Sequence, residues 1–390
     1  MAKLLQKYET KKFDSIEELK DFTALQEASY KWNVFKTSDG NYSPLEDMPI
    51  LVSIIRDKLG VSPDVSDDTI REQMADTKLM LTYPVDESST CTYPVGPTAY
   101  RSVLARLGAT CPALTALTDT RARNEVNPVD KAQICNVLTK YAKGSSCVLV
   151  GDELVLADLS NDYVRLPFTQ LLSIMEEEIK NLFEYVQFYS GYVSHETSSA
   201  EFMFMDDEID SNMYMTFKSL GIDISSYHCH IKVITSDVGL SGVNVFPFIR
   251  NGAGHIFSIG TPIKLEHIGD ANMDKFRNNL LSCFASFKDV SENLEKMKLI
   301  KISNPADCFY NVGKKVLLPD KILKEMYEEF NSEYPYHCSG IDVYCKLFDA
   351  LDVYASSETV DDLKFMQMNE NITRVCFYSL RKFDEPVIYK

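Results

Sequence analysis

The sequence has few of the features that mark membrane or secreted proteins. No segment approaches the roughly 18 consecutive apolar residues of a membrane span, and the first residues hold no apolar run of the signal-peptide kind. The ten cysteines are scattered and no two form a C-x-x-C pair. Dispersed cysteines of this kind are usually small buried hydrophobes. We therefore expect a cytoplasmic protein with no membrane contact.

Positive charge is also scarce. The 40 Lys and Arg residues stand against 57 Asp and Glu, which gives a formal net charge of −17. A protein that binds nucleic-acid phosphates over its whole surface needs an excess of Lys and Arg. Any contact with nucleic acid is therefore restricted to a local patch. Apolar residues make up 45% of the 390-residue chain, which is ample for a packed core.

Motifs of common catalytic sites are missing as well. The pattern GxGxxG is absent, and GLSG at 239–242 lacks the spacing of a nucleophile elbow. VGKKV at 312–316 lacks the preceding glycine of a phosphate-binding loop. We therefore predict no catalytic residue and no cofactor, and we favour a non-enzymatic protein.

Residues 147–180 give the clearest local prediction. Two apolar stretches, 147–150 and 154–159, flank a Gly-Asp pair, in which glycine supplies the positive φ of a tight hairpin turn. Pro167 then opens a segment whose apolar residues recur at helical spacing as far as Ile179. A β-hairpin that runs into an amphipathic helix is the expected structure.

Helical patterns precede and follow a group of short β-type stretches. Helices are expected at residues 15–30, 49–59, 67–75, 98–107 with Gly108 closing the helix, 112–117, 128–141, 272–297, 320–330, 341–354 and 370–383. The β-type stretches, each aromatic or β-branched, are residues 186–195, 200–205, 227–234, 242–249, 255–259 and 263–267. This segregation predicts an α+β fold, an antiparallel β-meander packed with helices.

Three regions are expected along the chain. Residues 1–90 form a mainly helical N-terminal region, residues 91–300 an α+β core with a central antiparallel sheet, and residues 301–390 a helical C-terminal region that packs on the core. The stretch 86–97 is rich in Ser, Thr, Pro and Gly. It is therefore the first candidate for a boundary or an exposed loop.

The most basic part of the chain is residues 98–145. Tyr100 and Tyr141 lie in the same part and can supply stacking surfaces for bases. The candidate nucleic-acid-binding residues are Arg101, Arg106, Arg121, Arg123, Lys140 and Lys143. Solvent-facing cations on ordinary helices account for the pattern equally well.

Acidic residues are concentrated between residues 176 and 210. The candidate partner-binding residues are Glu176, Glu177, Glu178, Asp206, Asp207 and Glu208. A row of carboxylates can imitate a phosphate backbone and occupy the basic cleft of a nucleic-acid-binding partner. The alternatives are a solvated helix face with a loop tip, and a carboxylate cluster that binds Mg²⁺.

His228 and His230 are the candidate metal ligands. Alternate residues of a strand face the same side, so the two imidazoles would lie together while Cys229 faces away. His255 or His267 on neighbouring strands would add a third ligand. The alternative is a half-buried strand whose polar residues face outward.

Residues 97–179 also carry a family resemblance. A helix of the form A-x-x-x-x-L-A-R-L-G precedes a hairpin of the form V-L-V-G-D-E-L-V-L-A-D-L-S-N-D-Y, with Leu159, Ser160 and Tyr163 at its corner. Together with 233–245 and 341–355, this order resembles the phage- and plasmid-borne family that carries domain of unknown function 932. The resemblance spans roughly residues 95–385. It implies a mobile-element origin and the cytosol of a bacterial host, and it brings no settled activity.

Val150 and Glu153 depart from that family pattern, because an Arg is expected next to the hairpin turn. The departure weakens any basic groove at the hairpin.

The leading functional hypothesis is a non-enzymatic, phage- or plasmid-encoded protein of nucleic-acid transactions, such as recombination or replication, with single-stranded DNA as a ligand. One rival is an acidic protein that inhibits a host or defence nucleic-acid-binding protein. The other is a metal-dependent enzyme. The oligomeric state is left open.

Overall fold

The computed structural model describes residues 11–44, 79–109, 128–151, 153–194, 196–205, 207–220, 227–250, 256–258, 263–285, 290–355, 364, 368, 371–372, 375 and 380–387. Its strands are β1 (Lys11–Phe13), β2 (Lys31–Lys36), β3 (Asn41–Pro44), β4 (Leu79–Pro84), β5 (Thr90–Pro94), β6 (Ser145–Gly151), β7 (Leu154–Ser160), β8 (Tyr185–Val193), β9 (Ser198–Met205), β10 (His228–Thr235), β11 (Val243–Arg250), β12 (Ile256–Ser258), β13 (Ile263–Leu265), β14 (Lys301–Ile302) and β15 (Cys338–Ser339). Its helices are α1 (Ile16–Ser29), α2 (Pro97–Arg106), α3 (Pro128–Thr139), α4 (Phe168–Leu182), α5 (Asp207–Leu220), α6 (Met273–Ala285), α7 (Val290–Lys298), α8 (Pro305–Lys315), α9 (Asp320–Glu333) and α10 (Gly340–Ala355). These elements confirm the predicted α+β class.

The largest sheet has seven strands in the order β1-β8-β9-β10-β11-β12, and β13 also pairs with β11. Every pairing in it is antiparallel. The predicted meander of short strands is therefore confirmed. Because side chains alternate between the faces of a strand, Phe202, Val233 and Val245 fall on one buried, apolar face.

Helices cover this apolar face. The ring of Phe183, directly after α4, lies 4.1 Å from the ring of Phe204 on β9, measured between centroids. Phe284 of α6 meets both rings, at 5.2 and 6.2 Å, and Leu19 of α1 lies against Gly191 of β8. Full burial of one such side chain contributes about 1.5–3 kcal/mol. The contacts therefore fix three helices on the sheet.

Two three-stranded sheets, β2-β6-β7 and β3-β4-β5, share a second core with α2 and α3. Val95 joins the two sheets through a parallel bridge to Val155. The rings of Phe35 and Tyr83 stack at 4.9 Å.

The predicted hairpin is present as β6 and β7. The residue with positive φ in the hairpin turn is Glu153, at 64°. Gly151 is the last residue of β6 and is extended, so the expectation that this glycine supplies the positive φ is wrong.

Several elements differ from the sequence expectation. In the stretch 86–97, expected as a boundary or exposed loop, residues 86–89 are exposed and lie outside any strand, whereas residues 90–94 form strand β5, in which Thr90 and Thr92 alternate with Cys91 and Tyr93. The span 272–297, expected as one helix, holds helices α6 and α7. Helices α5 and α8 were not predicted. The helices expected at 49–59, 67–75 and 112–117 lie outside the described residues, as does most of 370–379.

The three regions drawn from the sequence are connected by pairing. Between residues 11 and 84 the structure describes helix α1 and strands β1 to β4. Strand β1 pairs with β8 and β2 with β6, so these two strands join sheets built mainly from later residues. Strand β3 pairs with β4, and β4 pairs with β5. Past residue 300, helices α8 to α10 pack on one another beside the short β14–β15 pair.

No helix in the described segments combines the length and the apolar composition that crossing a bilayer requires.

The close approach of β11 and β13 gives a test of the fold. A Cβ on Gly242 would lie 2.6 Å from the backbone oxygen of Leu265, and a backbone atom has little freedom to withdraw. We expect Gly242→Ala to lower the free energy of unfolding by about 1–3 kcal/mol. Urea denaturation measures it. Gly40→Ala, whose Cβ would meet a movable Phe35 ring edge at 3.3 Å, is the control. Equal stability of the Gly242 variant and wild type would contradict the backbone approach.

Candidate functional site

The outer face of the seven-stranded sheet carries the most distinctive surface of the described residues. On β8, Tyr185 and Tyr189 are 48% and 46% exposed, and Tyr192 is half-buried. We call these tyrosines, with Lys232 on β10 and Arg250 on β11, the tyrosine face. Strand alternation sends Val186 to the opposite face, against Phe204.

A β-bulge shapes the middle of the tyrosine face. The register between β8 and β9 shifts between Phe188 and Ser190, so Phe188 opposes Phe202 and Ser190 opposes Glu201. Tyr189 is the extra residue of this bulge. A bulge redirects the side chains around it, and here the Tyr189 ring reaches His230, two strands away, with an edge contact at 4.9 Å.

Each of two tyrosines on this face has a cation beside its ring. The Cζ atom of Arg250 lies 5.2 Å from the centroid of Tyr189. The Nζ atom of Lys232 lies 5.7 Å from the centroid of Tyr192. Both distances fall within the approximately 6 Å reach of a cation–π interaction. The face therefore combines aromatic surface with positive charge.

Glu201 lies beneath these side chains. It is 3% exposed, and its Oε1 atom is 2.8 Å from Nδ1 of His230 and 3.0 Å from Nη2 of Arg250. Burial alone would raise the pKa of Glu201, but the hydrogen bond from His230 and the positive charges of Arg250 and Lys232 hold that pKa below its ordinary value. Glu201 is therefore a charged carboxylate that links three strands.

His230 completes this group as a neutral imidazole. Burial lowers the pKa of His230, although Glu201 opposes that shift. Its ring stacks on Phe248 at 5.3 Å. The side chain is 2% exposed, which leaves no open path for a substrate to reach the imidazole. We therefore assign His230 to the support of Glu201 and not to acid–base chemistry.

The predicted metal ligands His228 and His230 do lie on the same strand face, with His228 half-buried. His267 is engaged elsewhere: its Nε2 atom lies 3.1 Å from Oγ1 of Thr235 and its Nδ1 atom 3.0 Å from the oxygen of Val164. His255 lies outside the described residues. Across the described segments, no three His, Cys, Asp or Glu side chains come together in a way that could hold a metal ion.

The described members of the predicted nucleic-acid-binding set lie in α2 and in the segment that follows α3. Arg106 has a structural contact, since its Nη2 donates to the oxygen of Ser145 at 2.8 Å and ties the end of α2 to the start of β6. Arg101, Lys140 and Lys143 are exposed. Arg121 and Arg123 lie outside the described residues. A role for this region in nucleic-acid binding stays a prediction.

The predicted partner-binding acids of α4 have partners inside the fold. Glu176 pairs with Lys20 of α1 and, at 2.6 Å, with Lys180. Arg277 of α6 pairs with Glu177 at 2.9 Å and with Glu178 at 2.8 Å. These ion pairs join α4 to its neighbours. Asp207 and Glu208 begin α5 with undescribed side chains, and Asp206 lies outside the described residues.

A second polar group, missed from the sequence, lies in the core shared by the two small sheets. Asp158 of β7 is 1% exposed, and within the described residues neither carboxylate oxygen has a hydrogen-bond partner of good geometry. Burial raises the pKa of Asp158 to about 7, against the opposing effects of Ser146 and Arg106. The hydroxyl of Tyr100 in the same core is also buried without a partner there.

Comparisons with known proteins identify no relative of this chain. No protein-family model, no curated protein and no solved structure matches it. The resemblance to the family with domain of unknown function 932 stays an expectation. The functional argument therefore depends on the chemistry of the described side chains.

The tyrosine face had a signal in the sequence. Residues 186–195 were predicted as a strand, and the period of two in Tyr-Val-Gln-Phe-Tyr places Tyr185 and Tyr189 on one side of it. The contact between Glu201 and Arg250 had no such signal. It depends on the register of three strands, which the spacing of residues does not give.

The raised pKa of Asp158 predicts a pH dependence of stability. The fold favours the neutral carboxyl of Asp158. Its contribution to the unfolding free energy is therefore fully present below about pH 4 and is lost as the pH rises toward 7. Asp158→Asn removes the loss. Between pH 4 and pH 8, the unfolding free energy of the variant minus that of wild type should therefore increase by up to about 4 kcal/mol.

Urea denaturation of wild type and Asp158→Asn across this pH range measures the difference. The exposed Asp21 offers a matched control, because Asp21→Asn changes the formal charge equally and should show little change in relative stability with pH. A constant difference between Asp158→Asn and wild type from pH 4 to pH 8 would contradict the assignment.

Proposed function

We propose that this protein binds single-stranded nucleic acid through the tyrosine face, without catalysis, and serves transactions such as recombination or replication. The observation that carries the proposal is a group of tyrosine rings on the outer face of a sheet, in which Tyr185 and Tyr189 are exposed and cations lie beside Tyr189 and the half-buried Tyr192. Proteins that bind single strands without sequence preference combine the same two elements, aromatic platforms and positive charge.

Stacking on the tyrosines requires unpaired bases. Tyr185 and Tyr189 are about 13 Å apart along β8 at the usual rise of a strand, so each ring can receive a separate base. Stacking of a base on an aromatic ring contributes about 1–3 kcal/mol and tolerates any base. In a duplex the base faces are already stacked on each other. We therefore expect a strong preference for single strands.

Electrostatics sets the strength of the proposed binding. Arg250 and Lys232 are the cations beside the rings, and the charge of Glu201 is offset by its contacts with Arg250 and His230. Each phosphate neutralised on a single strand gives a slope of about −0.7 in log affinity against log salt, so two contacts give about −1.4. The net charge of −17 makes low salt the condition in which binding is measured.

The remaining parts of the proposal come from the sequence. The family resemblance supports a phage or plasmid origin and a bacterial cytoplasm. We favour nucleic-acid binding over an acidic inhibitor of a host protein, because Glu176, Glu177 and Glu178 are used in ion pairs within the fold. We favour it over a metal-dependent enzyme because His230 serves Glu201.

Tyr189→Ala tests the proposal. We expect its affinity for a fluorescein-labelled oligothymidylate to fall about tenfold at low salt, because one stacking surface is lost. Fluorescence anisotropy gives the affinity. Tyr214→Ala is the matched control, since Tyr214 is 45% exposed on α5 and has Lys218 at 5.6 Å from its ring, outside the tyrosine face. The control should bind as wild type does.

Two results would contradict the proposal. Wild-type protein that shows no binding at low salt would remove single-stranded nucleic acid as the ligand. A loss of binding in the combined variant Arg101→Ala, Lys140→Ala and Lys143→Ala, with Tyr189→Ala unaffected, would place the contact on the basic region instead.

A further inference from the structure

We infer that Glu201 is a positioning residue, which holds Arg250 against Tyr189 so that guanidinium and ring together form a pre-arranged contact for one unpaired base. The inference rests on the proposed function. It concerns a buried carboxylate that the sequence does not single out and that would otherwise repel the phosphates of a bound strand.

The first step concerns the reach of Arg250. Strand order places β11 three strands from β8, and the contact forms because the Tyr189 ring extends to His230 on β10, where the guanidinium of Arg250 lies 5.2 Å from the ring centroid. Glu201 belongs to β9, and its Oε1 atom is 3.0 Å from Nη2 of Arg250. The carboxylate is therefore located where an anion can hold this extended side chain in place.

The second step concerns the hold on Glu201 itself. The same Oε1 atom lies 2.8 Å from Nδ1 of His230, whose ring is stacked on Phe248. Glu201 is 3% exposed, so water screens its contact with Arg250 less than it would at an open surface. A rigid, shielded acceptor restricts Arg250 before a ligand arrives, and this restriction lowers the entropy cost of binding.

A role of Glu201 through its charge and a role in positioning Arg250 predict opposite effects of Glu201→Gln on the affinity for a single strand. If Glu201 acts only through its charge, removal of that charge makes the face more positive and strengthens binding of a polyanion. If Glu201 positions Arg250, the variant loses the ionic contact and binds a base less well. The sign of the affinity change separates the two roles.

The experiment compares two probes, an oligothymidylate and an abasic strand of equal length, by anisotropy at low salt. For Glu201→Gln we expect affinity for the oligothymidylate to fall three- to tenfold, with a smaller change for the abasic strand. The ratio of the two affinities therefore moves toward one. A folding defect lowers the active fraction equally for both probes and leaves the ratio unchanged, so the ratio reports positioning alone.

Two further variants sharpen the result. Glu201→Asp keeps the charge but withdraws the carboxylate from Arg250, so we expect its ratio to fall as in Glu201→Gln. Glu184→Gln removes an exposed charge directly before β8, and its ratio should equal that of wild type.

Two outcomes overturn the inference. The first is tighter binding of oligothymidylate by Glu201→Gln with an unchanged ratio, which assigns Glu201 a charge effect only and leaves the proposed function standing. The second is an unchanged ratio in Glu201→Asp. Absence of binding by the wild-type protein is a different result, because it removes the proposed function itself.

Discussion

Register in the seven-stranded antiparallel sheet is the constraint on which the rest of the structure depends. A slip of β9 by one residue would move Phe202 and Phe204 to the outer face and Glu201 into the apolar core. A buried carboxylate without its partners costs several kcal/mol, and exposed Phe rings lose their burial energy. The register is therefore specified twice, by apolar contacts on one face and by the contacts of Glu201 on the other.

Two buried carboxylates show different solutions to the same desolvation problem. Glu201 keeps its charge, because His230 and Arg250 contact one of its oxygens. At Asp158, burial outweighs the opposing effects of Ser146 and Arg106 and raises the pKa to about 7. The first arrangement holds surface side chains in place. The second makes the stability of the smaller sheets sensitive to pH.

Local patterns predicted much of the fold. Alternation and turn residues located the β6–β7 hairpin and the strands of the meander, and a glycine located the end of α2 at Gly108, whose φ is 74°. Long-range pairing was not predictable, because nothing near Lys11 in the sequence indicates that β1 joins β8. The site followed the same rule. Tyr185 and Tyr189 share a face by local spacing, whereas Glu201 meets Arg250 only through strand order.

The central claim is that an unpaired strand contacts the tyrosine face. The most direct measurement is ultraviolet cross-linking of the protein to an oligothymidylate at low salt, with the linked peptides identified by mass spectrometry. The account predicts cross-links at Tyr185 or Tyr189 of β8, which a duplex competitor does not remove. Cross-links confined to residues 98–145, or none at all under these conditions, would contradict it.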